Sequence, residues 1–491
     1  MPEHIRAYIF VLTIALLVFA YSKKTICTLS SYHNFDSRRN AWLFLTSVAF
    51  ITANFWIYSL VAVIVFFYVG SRDANKLGLF YCLLFILPPV SMSISGGGVF
   101  NQLIAISHPR LLSMCILVPL IFKIPGPIFK INSRVDLFVI AYFMLSIFQN
   151  FSHALSFTDA VRYVLYDFTD FFVPYIVFSR YLGTIKQLYD VLLSYITAAG
   201  VLSALAVFEF VKGWLLYVSL AHSMGLNLGV NEYIARAGHL RAMASTTQPI
   251  ALCYVLMIAI GFWMAFKEPI KLKNSWNLGV VLLGSGLLAT LSRGPWFGLA
   301  VLLFVFVITG RQPILNLFKL GAAAAVALMG SLLTSTGRNI VATLPFIGDS
   351  EQENVEFRHV LFDAASEVIM RKPFFGTADY RSAPEFLAIT SGQLDIVNSY
   401  LIIALSSGLV GVFIFCMAFL AAITSVHRII KKLPNEAKNH KTLGRVLMAA
   451  LIATLFTLAT VSSISFIPIV YWSLLGLAVA YSRILLTTEK Q

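Results

Sequence analysis

The chain has 491 residues, 59% of them hydrophobic and only 12% charged, with a mean hydropathy of +0.83 and a net charge of +14. A soluble core could not hide that much apolar surface, since an apolar share of about 45–50% is already typical of globular chains. The long unbroken apolar runs also exclude a barrel of short alternating strands. The positive charge is that of cytoplasmic loops in a membrane protein, so no nucleic-acid partner is expected.

Candidate spans fall at 7–21, 41–70, 77–93, 110–123, 136–150, 162–180, 188–211, 249–266, 276–291, 296–310, 316–335, 398–424, 444–461 and 465–484. Allowing for ambiguous runs, about 12 to 15 segments approach the roughly 20 residues that cross the hydrocarbon core. The expected fold is therefore an all-α, polytopic helical bundle. The first run, Ala7–Tyr21, follows little positive charge and has no convincing small-x-small cleavage site, so it reads as a first helix and not a removed signal. The 41–70 run is long enough to be two segments broken near Asn54. Three glycines in S-I-S-G-G-G-V-F-N-Q, Ser93–Gln102, suit either a close backbone approach or a plain loop. Asp167 and Asp170, with Arg162, lie at helical spacings in an apolar run, where an internal salt bridge explains them as well as a function does.

Three later segments carry more chemistry. In R-A-G-H-L-R-A-M-A-S-T-T-Q-P-I, Arg236 and Arg241 precede a proline-initiated helix. They suit either an anion or the lipid headgroups to which long cationic side chains snorkel. In L-S-R-G-P-W-F-G-L, Arg293 is the sole charge between Lys273 and Arg311, held in a tight turn between two spans. A guanidinium there matches phosphate oxygens, or else a buried acid such as Asp167 or Asp170. Between spans, residues 336–397 form a long loop whose V-E-F-R-H-V-L-F-D-A-A-S-E-V-I-M spaces Val355, Val360, Leu361, Ala364, Val368 and Ile369 as an amphipathic helix ended by P-F-F-G. The loop runs into S-G-Q-L-D-I-V-N-S-Y-L, which brings Asp395, Asn398, Ser399 and Tyr400 to the mouth of the next span. Asp395 could equally be a helix cap.

Orientation follows from the basic loops. His427–Arg445 carries a dense set of cations against Glu436 alone, so it belongs in the cytoplasm. Counting back, 311–319, 267–273 and 123–134 fall inside, while 222–248, Arg293 and 336–397 share the outer face. The N-terminal cations Lys23, Lys24, Arg38 and Arg39 leave the side of Met1 open. The five cysteines form no C-x-x-C pair. No H-E-x-x-H, D-x-D, Walker or G-x-S-x-G motif occurs, so no metal or other cofactor is expected.

S-R-G-x-W-x-G-L between two spans, R-K-P-F-F-G in a long outer loop and N-S-Y-L…G-L-V-G together resemble the O-antigen ligase/polymerase family over about residues 235–420. R-A-M-A-S-T-T-Q-P-I and D-I-V-N-S-Y-L are closest to exopolysaccharide polymerase-type members. The resemblance implies a multi-pass glycosyltransferase of the bacterial inner membrane with a GT-C-like scaffold. It divides the chain into N-terminal helices (1–235), a ligase-like core (236–424) and a C-terminal part (425–491). Such enzymes take glycan from undecaprenyl diphosphate at the periplasmic face and transfer it to an acceptor hydroxyl, with inversion and without a metal. Carried over, Arg241 and Arg293, with Arg236 nearby, hold the diphosphate. Ligases of the family usually place a His directly before the Asn of the last motif, and here Val397 stands there. The base is then Asp395 or His359, with Asn398, Tyr400 and Arg358 for sugar hydroxyls. Implied partners are the lipid-linked glycan, membrane lipids, and flippase and chain-length or export proteins. A ligase acting on lipid A core or protein is the nearest alternative. A polysaccharide transporter is the alternative of another class, but it would show repeated halves and charges along an internal path.

Overall fold

A computed structural model describes residues 1–26, 29, 34–95, 102–124, 126–154, 156–226, 234–236, 238–270, 273–333, 337–338, 341, 352–377, 379–389 and 396–488. The chain begins with α1 (Glu3–Ile26), α2 (Phe35–Thr52), α3 (Phe55–Arg72) and α4 (Lys76–Ile86). A hairpin, β1 (Ser91–Ile94) with β2 (Ile104–Ser107), leads into α5 (His108–Ile121). Next come α6 (Arg134–His153), then α7 (Phe157–Asp167), which passes through a π turn into α8 (Val173–Arg180), and α9 (Ile185–Lys212). After α10 (Val218–Ser223) a second small hairpin, β3 (Ala235–Arg236) with β4 (His239–Leu240), precedes α11 (Pro249–Ala265), α12 (Lys273–Ala289), α13 (Arg293–Ile308) and α14 (Pro313–Leu332). The long loop contributes α15 (Gln352–Arg371) and α16 (Pro384–Ile389), and the chain closes with α17 (Ser399–Lys432), α18 (Lys438–Leu458) and α19 (Ile467–Thr488).

The protein is thus an all-α polytopic bundle. Among the described residues, eight helices are long and apolar enough to cross a membrane, and four shorter apolar helices accompany them. The break expected near Asn54 is present. Ala53 adopts a left-handed conformation (φ 44°) and Asn54 caps α3, its Oδ1 accepting from Trp56 N (2.9 Å) and Ile57 N (3.1 Å). The glycines of the Ser93–Gln102 segment lie outside the described residues.

Helix α9 is the axis of the first half, packed by α1, α4, α11 and α12. Its apolar residues are buried almost throughout, because neighbours cover it on every side. Small residues let the backbones close: a Cβ on Gly286 would overlap Ser203 of α9, and one on Gly298 would overlap Thr457 of α18. Close approach of this kind drives helix association where lipid supplies no hydrophobic force.

Side-chain contacts sort the helix ends. At one end, Trp214 donates to Glu3 (2.9 Å), just past the end of α9. At the other, Lys23 pairs with Asp36 at 2.8 Å, and Arg38, only 1% exposed, bridges Asp73 and Asp190 at 2.8 and 3.0 Å. Arg445 reaches Thr309 at 3.3 Å on that same basic side. Arg38 is therefore a structural ion pair beneath α9 and not a free loop charge, and Met1 sits with the end opposite the basic loops.

The long loop docks on the bundle through a broken helix. Leu361, Ala364, Ala365 and Val368 of α15 are buried against Tyr380, Phe386, Ile396 and Leu405, so the face expected from the spacing is the packed one, although Val360 is exposed. P-F-F-G follows and enters α17 where Gly408 is non-helical (φ 66°, ψ −174°). Leu409 N donates to Pro373 O (2.8 Å) and Thr377 N to Leu405 O (2.7 Å). The kink frees backbone groups that the loop then satisfies, as a break at membrane depth requires.

Candidate functional site: an arginine-lined turn at the head of α13

The turn joining α12 to α13 is the meeting point. Leu291 adopts φ 47°, a conformation that costs a branched side chain about 1 kcal/mol or more. The turn orients two carbonyls toward the β3–β4 hairpin: Arg236 donates Nη1 to Leu291 O (2.8 Å), and Arg241 donates Nε to Thr290 O (3.1 Å). Arg241 also donates Nη2 to the Ser292 hydroxyl at 2.8 Å, one residue before Arg293. The hairpin can do this because Gly238 (φ 77°) closes its turn and Arg241 N continues the ladder to Ile234 O (3.0 Å). Two arginines five apart in sequence are thereby brought to the residues preceding the third.

Glu209 fixes the segment that follows. Fully buried near the end of α9, its carboxylate accepts from Leu216 N (3.0 Å), Met243 N (3.0 Å) and Ala244 N (2.8 Å). Sequence reasoning missed it; the signal was one acid inside the apolar run that ends α9, a position that demands partners. Ser292 was equally silent, a small hydroxyl beside a conspicuous cation.

The head of α13 is wedged against the end of α18, since a Cβ on Gly294 would meet Thr460 Oγ1 at 2.5 Å. From Val461 the contacts run directly to the mouth of α17. Ser399, wholly buried, donates N (3.1 Å) and Oγ (2.6 Å) to Val461 O, and Ser463 donates to Ser399 Oγ at 2.9 Å. Asn398 is the N-cap, its Oδ1 accepting from Tyr400 N (2.9 Å) and Leu401 N (3.3 Å). Tyr400 turns inward, its hydroxyl donating to Leu455 O at 2.8 Å. His359, exposed on α15, lines a largely apolar cavity of about 450 Å³ with Asn398, Phe362, Ile396, Val397 and Ala459. Asp395 and the Arg358 side chain lie outside the described residues.

Arg236, Arg241 and the head of α13 thus share one turn, and that helix is joined through Thr460 and Val461 to the mouth of α17. Asn398 and Tyr400 are engaged in building that mouth. A cluster of guanidinium groups can hold and neutralise a phosphorylated leaving group. Among the described residues, no three His, Cys, Asp or Glu side chains group as ligands for one metal ion.

An all-helical bundle of long apolar helices, with arginines gathered at one interhelical turn, defines a class: a multi-pass membrane protein. Residues 278–416, from α12 through the loop into α17, match the family model described as O-antigen ligase. That match supports an assignment to the O-antigen ligase/polymerase family, whose members are glycosyl-transferring enzymes that act on lipid-linked glycans. No curated protein matches the chain.

Proposed function

We propose that the protein polymerises undecaprenyl-diphosphate-linked oligosaccharide repeats into an exopolysaccharide or O-antigen at the periplasmic face of the bacterial inner membrane. Arg236, Arg241 and Arg293 hold the diphosphate. The acceptor hydroxyl attacks the anomeric carbon, the bond from that carbon to the phosphate oxygen breaks, and the electron pair leaves with the diphosphate. Fixed guanidinium groups stabilise the charge that develops there without reorganising. The hydroxyl proton passes to Asp395 or His359, and attack from the side opposite the leaving group gives inversion. Asn398 shapes the cavity beside the donor, and Arg358 is the remaining candidate for its sugar.

The observation that carries this reading is the convergence of Arg236 and Arg241 on the turn that presents Arg293. Polymerisation is favoured over ligation because Val397 stands where ligases of the family carry a histidine. The test is reconstitution in nanodiscs with the producing strain's lipid-linked repeat unit as sole glycan. Wild type should give a ladder of lengthened, carrier-linked products, and Arg241→Ala and Arg293→Ala should each reduce it by about 10²-fold or more. A wild-type protein that makes no ladder but glycosylates added lipid A core would be a ligase. Unimpaired arginine variants would remove the site.

A further inference from the structure

A polar cavity borders the α17 kink and is not used by the arginine turn. It has a volume of about 400 Å³, within the roughly 300–1,000 Å³ of small-molecule sites. Its wall carries Asp167, whose Oδ2 accepts from Asn150 Nδ2 (2.8 Å) and from the Ser146 hydroxyl. The other oxygen, Oδ1, has no hydrogen-bond partner among the described residues and belongs to a side chain bordering the cavity. One turn on, Asp170 is engaged differently, its Oδ2 accepting from Nε (3.0 Å) and Nη2 (2.9 Å) of Arg110, whose guanidinium stacks 3.5 Å from the Tyr166 ring centre. Rings of Tyr142, Tyr471 and Trp472 also line it, together with Ser406 and Ser407 of the kink.

This is not how an apolar bundle is normally filled. A carboxylate held by a hydroxyl and an amide, with one oxygen left to a cavity, costs stability unless something pairs with it. The surroundings say what. Carboxylate, amide and hydroxyl groups between flat aromatic faces suit a neutral polyhydroxylated ring, which offers hydroxyl donors at its edge and C–H groups on its faces. A phosphate is excluded from the Asp167 side by charge.

The position fits a glycan. The kink bordering the cavity is the one that holds the long loop's P-F-F-G, and Tyr166 also receives a hydrogen bond from Ala105 N of the β1–β2 hairpin (2.6 Å). Arg110 and Asp170 are shared with an adjoining cavity of about 320 Å³, lined further by Ser245, Thr247 and Ser465. Ser245 and Thr247 follow Arg241 by four and six residues in the chain.

We infer that this cavity, centred on Asp167 and walled by Tyr142, Tyr166 and Trp472, binds a sugar of the acceptor glycan. The inference rests on the glycosyl-transfer reading for the word acceptor, but the binding itself is measurable without transfer. The probe is lipid-free oligosaccharide, cut from the producing strain's own surface polysaccharide, added to full-length protein in nanodiscs and followed by saturation-transfer NMR. Wild type should bind it. Asp167→Asn should weaken binding at least tenfold, and Ser407→Trp, which fills the cavity, should abolish it. Arg241→Ala should change it less than twofold, because the probe carries no diphosphate. Should Asp167→Asn fail to fold, Tyr163→Ala, at a rim ring that is 46% exposed, should weaken binding at least threefold.

Wild-type binding by both cavity variants, no binding by wild type, or an equal loss in Arg241→Ala would overturn the inference. If the fragments bind as described yet lipid-linked repeats are never elongated, the transfer reading fails while the site stands. If elongation proceeds and Asp167→Asn leaves the acceptor KM unchanged, the site fails and transfer stands.

Discussion

Replacing Glu209 by Gln tests whether the arginine turn is held from beneath. The carboxylate serves two directions, Oε1 toward Leu216 N and Oε2 toward Met243 N and Ala244 N. An amide has one acceptor oxygen, so whichever way it lies, an NH₂ group faces a backbone N–H. Oriented to keep the Met243 and Ala244 bonds, it orphans the Leu216 N–H at about 1–3 kcal/mol and turns two charge-assisted bonds into neutral ones of roughly half the strength. The total is about 2–4 kcal/mol, shared between the Leu216 N–H and the segment that begins two residues after Arg241. If half of that appears as misplacement of Arg241, elongation should slow about 5- to 30-fold, at about 1.4 kcal/mol per decade. The assay is ladder formation in nanodiscs for Glu209→Gln, Arg241→Ala and the double variant. Because Glu209 acts through Arg241, the double variant should be no slower than Arg241→Ala alone. Equal fold-losses from Glu209→Gln in both backgrounds, or wild-type activity in the single variant, would refute the reasoning.

Asn398→Ala removes a cap worth about 1 kcal/mol and should lower the melting temperature by a few degrees while leaving at least a tenth of the activity. Tyr400→Phe loses one buried hydrogen bond, about 0.5–1.5 kcal/mol, and should elongate within about fivefold of wild type; a drop beyond a hundredfold would give its hydroxyl a substrate role. Gly408→Ala forces a side chain into φ 66° and against the Phe374 carbonyl, so the long loop should come off the kink and proteolysis near 372–377 should accelerate severalfold. Prolonged dialysis against EDTA should leave elongation unchanged, because arginines neutralise the leaving group in the proposed step.

Much of this architecture was legible because hydropathy in a bilayer is a blunt constraint. Each apolar run contains a helix, since lipid offers backbone groups no other partner, although the run at 77–93 leaves its helix after Ile86 and ends in β1. The break at Asn54 and the face of α15 were readable from a capping residue and a helical period. What escaped was everything decided by close approach. Glu209 gives no clue in sequence that it receives three N–H groups from two segments. The contrast between Arg38, sealed between Asp73 and Asp190, and Arg39, partly exposed and paired with Asp36 and Asn40 on its own helix, is a matter of which way a helix faces. At the mouth of α17, Asn398, Ser399 and Tyr400 looked like a substrate-facing trio. Most of their hydrogen bonds build the mouth itself, because the ends of α17 and α18 must satisfy one another where they leave the bundle.

That division of labour explains why the arginine turn can be rigid without a soluble core around it. A cation meant to hold a diphosphate has to stay in place before the substrate arrives, or its stabilisation is spent on reorganisation. Here the restraint runs through backbone groups of the turn. Ala242 N donates to Ala289 O at 3.1 Å, Gly294 sits against Thr460, and the carbonyls of Thr290 and Leu291 engage Arg241 and Arg236 before any anion does. A larger residue at Gly294 would separate α13 from α18 and move Arg293 away from Ser292's partners, while leaving every arginine in the sequence. Gly294→Val should therefore reduce elongation about as much as Arg293→Ala, even in protein that still reaches the membrane and elutes as wild type. Retained activity there would mean that the charge alone suffices and its placement does not matter.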